Sequence, residues 1–121
     1  MGAEPAREEI AARFSRAVAL RVNGQYDEAI PELQSIVETA PEHVEARQEL
    51  ALALCYSGLF DESVVEFERL REMAPDCLPA RNNLGLTYAM LGMNDEAKAE
   101  FEYVLSKDPE NEVAKKNIVY F

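Results

Sequence analysis

The chain has 121 residues, 48% of them hydrophobic and 29% charged, with 23 acidic against 12 basic side chains and a formal net charge of −11. That length fits one domain, and apolar residues spread along all of it exclude a disordered polyelectrolyte. The acidic balance excludes the basic footprint that nucleic acid or an anionic membrane surface requires, so neither is expected as a partner.

The N-terminus, "MGAEPAREEI", has no apolar stretch of the kind a secretory leader carries, and Ala6 stands where myristoylation of Gly2 needs Ser or Thr. Nowhere does the sequence run apolar for the roughly 18 residues that cross a bilayer. Cys55 and Cys77 are too few for a disulfide framework, and neither has a second Cys or a His at metal-ligand spacing. They suit a reducing compartment, and the cytoplasm is expected.

Chemically different residues recur at one step. Gly24, Gly58 and Gly92 are 34 apart, as are Pro41, Pro75 and Pro109, and so are the pairs Asp27-Glu28, Asp61-Glu62 and Asp95-Glu96. These marks frame repeats at 10–43, 44–77 and 78–111 within one domain. Residues 1–9 precede them as an extension of the first helix, and 112–121 open a fourth repeat.

In the first repeat Arg16 takes the place that Leu50 and Leu84 hold later, as suits a terminal repeat with water on its outer side. Pro31 falls near the start of its second helix, where one lost donor and a slight bend are the expected cost. The second repeat reads Leu50, Leu54, then Gly58, then Ser63, Phe67, Leu70, then Pro75. The third has Leu84, Tyr88 and Leu91 at helical spacing before Gly92, and Ala97, Phe101 and Val104 at the same spacing before Pro109. Glycine suits the left-handed end of a helix, Asn94 is the expected N-cap of the next, and the Asp-Glu pairs sit at its positive end. Each repeat is therefore a helix–turn–helix hairpin. Small residues at Ala17, Ala51, Gly85 and at Ala29, Ser63, Ala97 let its two helices approach closely.

In the tail "EVAKKNIVYF", Ile118 falls in the phase of Leu84 and Val119 in that of Gly85. Both are packing places, and Ile118 is expected against Phe101 and Val104, while Tyr120 and Phe121 have no assigned neighbour. Two readings stay open, with the first preferred. The array continues beyond this first helix, or Ile118, Val119, Tyr120 and Phe121 form an adhesive end for self-association into a homo-oligomer.

The third repeat, "NNLGLTYAMLGMNDEAKAEFEYVLSKDP", resembles a tetratricopeptide repeat through Leu84-Gly85, Tyr88, Gly92, Ala97, Phe101 and Pro109. The resemblance extends from about Ile10 to the end. It departs from the family where Arg13, Arg47, Arg81 and Lys115 replace a frequent Trp. It implies an all-α, right-handed α-α superhelix of three hairpins plus a C-terminal partial-repeat helix, with first helices lining a concave groove. Members generally bind other proteins there, so no enzyme activity, cofactor or metal is expected.

The inward places the resemblance assigns hold Phe14, Val18 and Val22, then Gln48, Leu52 and Tyr56, then Asn82, Leu86 and Met90, with Arg21, Cys55 and Ala89 beside them. A second apolar stripe on helices already packed through Leu50, Leu54, Leu84 and Tyr88 points to a partner's apolar peptide or amphipathic helix. One branch of the family clamps the C-terminal carboxylates of heat-shock chaperones with Lys, Asn and Arg. Here those places hold Phe14, Val18, Glu49, Pro79 and Asn83, so the clamp is not expected.

Other charged and polar residues read as structural. His43 is an exposed turn residue with no catalytic or ligating company. Arg13, Arg47, Arg81 and Lys115 cover apolar surface and pair with acids of the preceding repeat such as Glu38, Glu72 and Glu110. The ladders Glu32, Glu66, Glu100 and Glu42, Asp76, Glu110 form a solvated outer face.

Overall fold

A computed structural model describes residues 7–121. The leader and lipidation readings at the N-terminus, and most of the 1–9 extension, lie outside the described residues. The described residues form seven α-helices and no strand: α1 (Arg7–Val22), α2 (Tyr26–Thr39), α3 (Val44–Tyr56), α4 (Phe60–Met73), α5 (Leu78–Met90), α6 (Asn94–Lys107) and α7 (Glu112–Ile118).

Backbone bonds make the turn inside each hairpin, with Ser57 Oγ adding a bond to Leu54 O at 3.0 Å in the second. Gly24, Gly58 and Gly92 have φ of 79°, 87° and 76°, a region that costs an L side chain energy. In the third repeat Gly92 N donates to Ala89 O at 3.0 Å and Met93 N to Tyr88 O at 2.9 Å, the two reversed bonds that close a helix on a left-handed residue. Met93 O then accepts from Ala97 N at 3.0 Å, so one residue ends α5 and starts α6. Gln25 and Leu59 do the same in the other hairpins. Asn94 is consequently the first residue of α6 and not its cap, because the cap position falls on Met93, which offers no side-chain bond. The Asp-Glu pairs lie in the first turns of α2, α4 and α6 as expected, and α2 runs unbroken through Pro31.

Close approach fixes the hairpin angle. A Cβ on Gly85 would stand 2.9 Å from the Phe101 ring, so α5 and α6 meet at a place only glycine leaves open. Ser63, fully buried in α4, donates to Ala51 O of α3 at 2.8 Å. One core cluster ties α1, α2 and α3 through Ala17, Leu33, Leu50 and Leu54, and a larger one runs from Ala51 and Phe67 through Leu84 and Phe101 to Ala114 of α7. First helices touch across repeats, α1 on α3 and α3 on α5. Second helices splay, with α3 flooring a cleft between α2 and α4. The closely spaced first helices therefore form the concave side and the second helices the convex side.

Three expectations about charge are corrected. Arg47 and Arg81 do not reach acids of the preceding repeat. They turn inward, Arg47 Nη1 to Glu66 Oε1 at 2.7 Å and Arg81 Nε to Glu100 Oε1 at 2.9 Å. Glu100 is only 5% exposed, and Arg71 of α4 reaches its Oε2 at 2.7 Å, so this member of the acidic ladder belongs to the interior. Arg13 donates to Ser35 at 2.6 Å, and only Lys115 pairs as expected, with Glu110 at 3.2 Å.

The tail is also corrected. Ile118 packs on the larger cluster as expected, and Phe121 joins it with its ring 6.0 Å from that of Phe101. Val119 is exposed instead of packed, since the place it shares with Gly85 packs against the second helix of a hairpin, and among the described residues no helix follows α7.

Removing one partner of a buried ion pair strands the other. Glu100→Ala is expected to cost about 3–5 kcal/mol in urea denaturation, against less than about 1 kcal/mol for Lys115→Ala. Tyr88 is buried and donates to Glu68 Oε2 at 2.6 Å. Burial first, and then that carboxylate, push its phenol up to about 12. The folded chain therefore keeps a proton that the unfolded chain releases near pH 10, so this contribution is complete below about pH 10 and falls away between about 10 and 12. Stability measured across that window is expected to decline less in Tyr88→Phe than in the unaltered chain.

Candidate functional site: the concave groove

The inner faces of α1, α3 and α5 carry two rows that behave differently. Val22, Tyr56 and Met90 are 66%, 55% and 64% exposed, and Leu86 is 36% exposed. Val18 and Leu52 are half-buried, and Leu52 also packs on the larger core cluster. Leu52, Tyr56, Leu86 and Met90 line one hollow of about 410 Å³ together with Cys55 and Phe60. Phe60, the first residue of α4, was missed by the sequence reading. Its signal was present, because Tyr26 stands one step of 34 before it and also reaches Tyr56, at 6.1 Å between rings.

Phe14, Gln48 and Asn82 do not join this surface in the way expected. Each faces the residue that starts the next repeat's first helix. The Phe14 ring lies 5.1 Å from His43, Cys77 Sγ lies 4.0 Å from Gln48 Oε1, and Asn82 Nδ2 donates to Asn111 Oδ1 at 3.0 Å. Asn82 is 5% exposed. These contacts tie each first helix to the cap residue that closes its own repeat and leads into the next first helix. His43 is corrected with them, being half-buried and capping α3 by accepting from Ala46 N at 3.1 Å. Asn111 caps α7 in the same way, from Ala114 N at 3.1 Å.

Charge in the groove is internally matched. Arg21 of α1 pairs with Glu49 of α3, both largely covered, which removes an acid from one of the places where a carboxylate clamp needs a cation. Cys55 Sγ and Thr87 Oγ1 meet at 3.6 Å behind the hollow, and Thr87 donates to Asn83 O at 2.7 Å. What remains for a ligand is apolar and adaptable surface. Among the described residues no group of His, Cys, Asp or Glu is placed to hold a metal ion, and no helix is long and apolar enough to cross a membrane.

Similar proteins share this architecture. The chain superposes on YrrB, described as a TPR protein with an unusual peptide-binding site, with a TM-score of 0.84 and 25% identity over 88% of this chain and 55% of that one. It thus spans about half the length of that protein. The first TPR domain of Spaghetti (RPAP3), bound to the HSP90 peptide SRMEEVD, gives a TM-score of 0.89 and 19% identity over 98% of this chain and 94% of that one. The Arabidopsis OM64 TPR domain gives 0.87 and 17% over 93% of each. At these identities the last two establish the fold. No curated protein matches the chain in sequence. Family models of the tetratricopeptide repeat match residues 20–85 and 83–111, the first alone over more than half of the 121 residues. With its helix pairs, turn glycines and concave face in place, the chain belongs to the tetratricopeptide repeat family.

Proposed function

We propose that the chain is a non-catalytic protein-interaction module that holds an apolar peptide or amphipathic helix of a partner in its concave groove. The observation that carries this reading is the exposed row Val22, Tyr56 and Met90 beside Leu86, on helices whose packing needs are already met by other residues. Contiguous exposed apolar surface of this kind marks an interaction site, and a helix laid along it would place residues one turn apart against successive repeats. Met90 adds a side chain that adjusts to the shape presented. The peptide-binding neighbours support the class of activity. They do not transfer the ligand, because Phe14, Val18, Glu49, Pro79 and Asn83 supply no cation for a partner's carboxylates. The two free thiols, Cys55 and Cys77, fit a reducing compartment such as the cytoplasm.

Leu52 is a poor place to test the groove, since it also contributes to the core. Leu86→Glu with Met90→Glu is the better pair. The double variant is expected to keep the melting temperature of the unaltered chain and to lose the partners recovered in a pull-down. Recovery of the same partners by the folded variant overturns the reading.

A second reading is self-association through the C-terminal face, favoured by Val119 and Tyr120 at 75% and 77% exposed. Ile118 and Phe121 are engaged within the chain, which leaves a smaller adhesive surface than the sequence suggested. Light scattering over a concentration series decides it. A rising mass that Tyr120→Lys abolishes supports it, and a constant monomer mass excludes it.

A further inference from the structure

The convex side carries a site that the groove does not explain. Between α2 and α4 lies a cleft of about 420 Å³, floored by Leu50 and Leu54 of α3 and walled by Val37, Val65 and Glu66. One step of 34 along the chain, Val37 becomes Arg71, Leu54 becomes Tyr88, Glu66 becomes Glu100 and Arg69 becomes Tyr103. In the corresponding place between α4 and α6, Arg71 and Tyr88 are larger than Val37 and Leu54, while the glutamate is kept. Arg71 Nη1 donates to Glu100 Oε2 at 2.7 Å, Arg81 lies 2.9 Å from Oε1, and the Tyr103 ring covers the Arg81 guanidinium at 3.7 Å. Glu100 therefore has a guanidinium on each oxygen.

Glu66 is matched on one side. Its Oε1 accepts from Arg47 Nη1 at 2.7 Å, whereas the cation beside its Oε2 is Arg69, 4.0 Å away on a side chain that is 60% exposed. Glu38 and Glu62 also line the cleft, so three carboxylates face the guanidinium groups of Arg47 and Arg69. Arg47 is already held by Glu66 and by Pro41 O at 3.1 Å.

We propose that this cleft is a docking site for an arginine side chain of a basic partner protein. The incoming guanidinium takes Glu66 Oε2, as Arg71 takes Glu100 Oε2, and its methylene stem lies on Val37, Leu54 and Val65. The chain supplies the template for its own ligand, since the filled cleft shows which group completes the empty one. Arginine fits better than lysine because its planar, weakly hydrated head pairs with a carboxylate while its stem covers apolar surface. The net charge of −11 favours the encounter with a basic segment. The site faces away from the concave groove, so it stands or falls separately from the partner proposed there.

The test is an amide-shift titration of the full, isotopically labelled chain with three peptides: acetyl-Ala-Arg-Ala-amide, its lysine counterpart, and the uncharged citrulline counterpart. Saturable shifts at Val37, Leu54 and Glu66 with the arginine peptide, and none with citrulline, are expected. Val37→Arg, checked as folded by its dispersed spectrum, is expected to fill the cleft from within, raise the melting temperature and lose the response. The peptide series on the unaltered chain stands without that variant. No saturation by the arginine peptide, an equal response to lysine or citrulline, or shifts that persist in folded Val37→Arg overturns the proposal.

Discussion

The structure depends on how closely two helices of one hairpin can approach. At Gly85 the Phe101 ring sits where a side chain would otherwise stand, and the left-handed Gly92 reverses the chain in time to bring that ring into place. A hairpin made in this way has one apolar face left over, which only another hairpin can cover. Stacking follows from that surplus. Because first helices touch across repeats while second helices splay, stacking also bends the array. Groove and cleft are thus two results of one packing constraint, one on each side of the molecule.

Within that frame, charge is used to hold repeats in register. Arg47–Glu66 and Arg81–Glu100 join the first and second helices of a hairpin from inside, and Arg71 carries the link from α4 to α6. A buried pair of this kind contributes little net stability against an apolar substitute, but it penalises any arrangement that strands one member. Arg21–Glu49 plays a comparable part between α1 and α3, and it leaves the groove without a free cation at that place.

Much of the architecture was legible in the sequence because it rests on short-range rules. A step of 34, glycine where φ must be positive, and acids at the helix start are all local, and each reappears where it was expected. Most of the departures involve choices among neighbours. Helical spacing places Arg47 on an edge but does not say whether its head turns to Glu38 behind it or to Glu66 on the facing helix, and burial decides for Glu66. The same ambiguity hid the role of Phe14, Gln48 and Asn82, whose phase is that of the groove but whose partners are His43, Cys77 and Asn111. Asn94 was misassigned as a cap because a backbone-only turn leaves no side-chain signature to read. Val119 keeps the helical phase but stays exposed, because among the described residues no second helix follows α7 to cover it.

Those three contacts of Phe14, Gln48 and Asn82 have different chemistry at the same place. Ring on imidazole ties α1 to the cap of α3, a thiol at 4.0 Å from an amide ties α3 to the cap of α5, and an amide–amide bond of 3.0 Å ties α5 to the cap of α7. In a linear array, order propagates from neighbour to neighbour, and its reach is set by the weakest coupling. The thiol–amide contact is a long one, but the core cluster that runs from Ala51 and Phe67 to Leu84 and Phe101 crosses the same boundary and carries the coupling there. The same fold at each repeat thus coexists with a different contact chemistry at each boundary, written by single residues that leave the repeat pattern untouched.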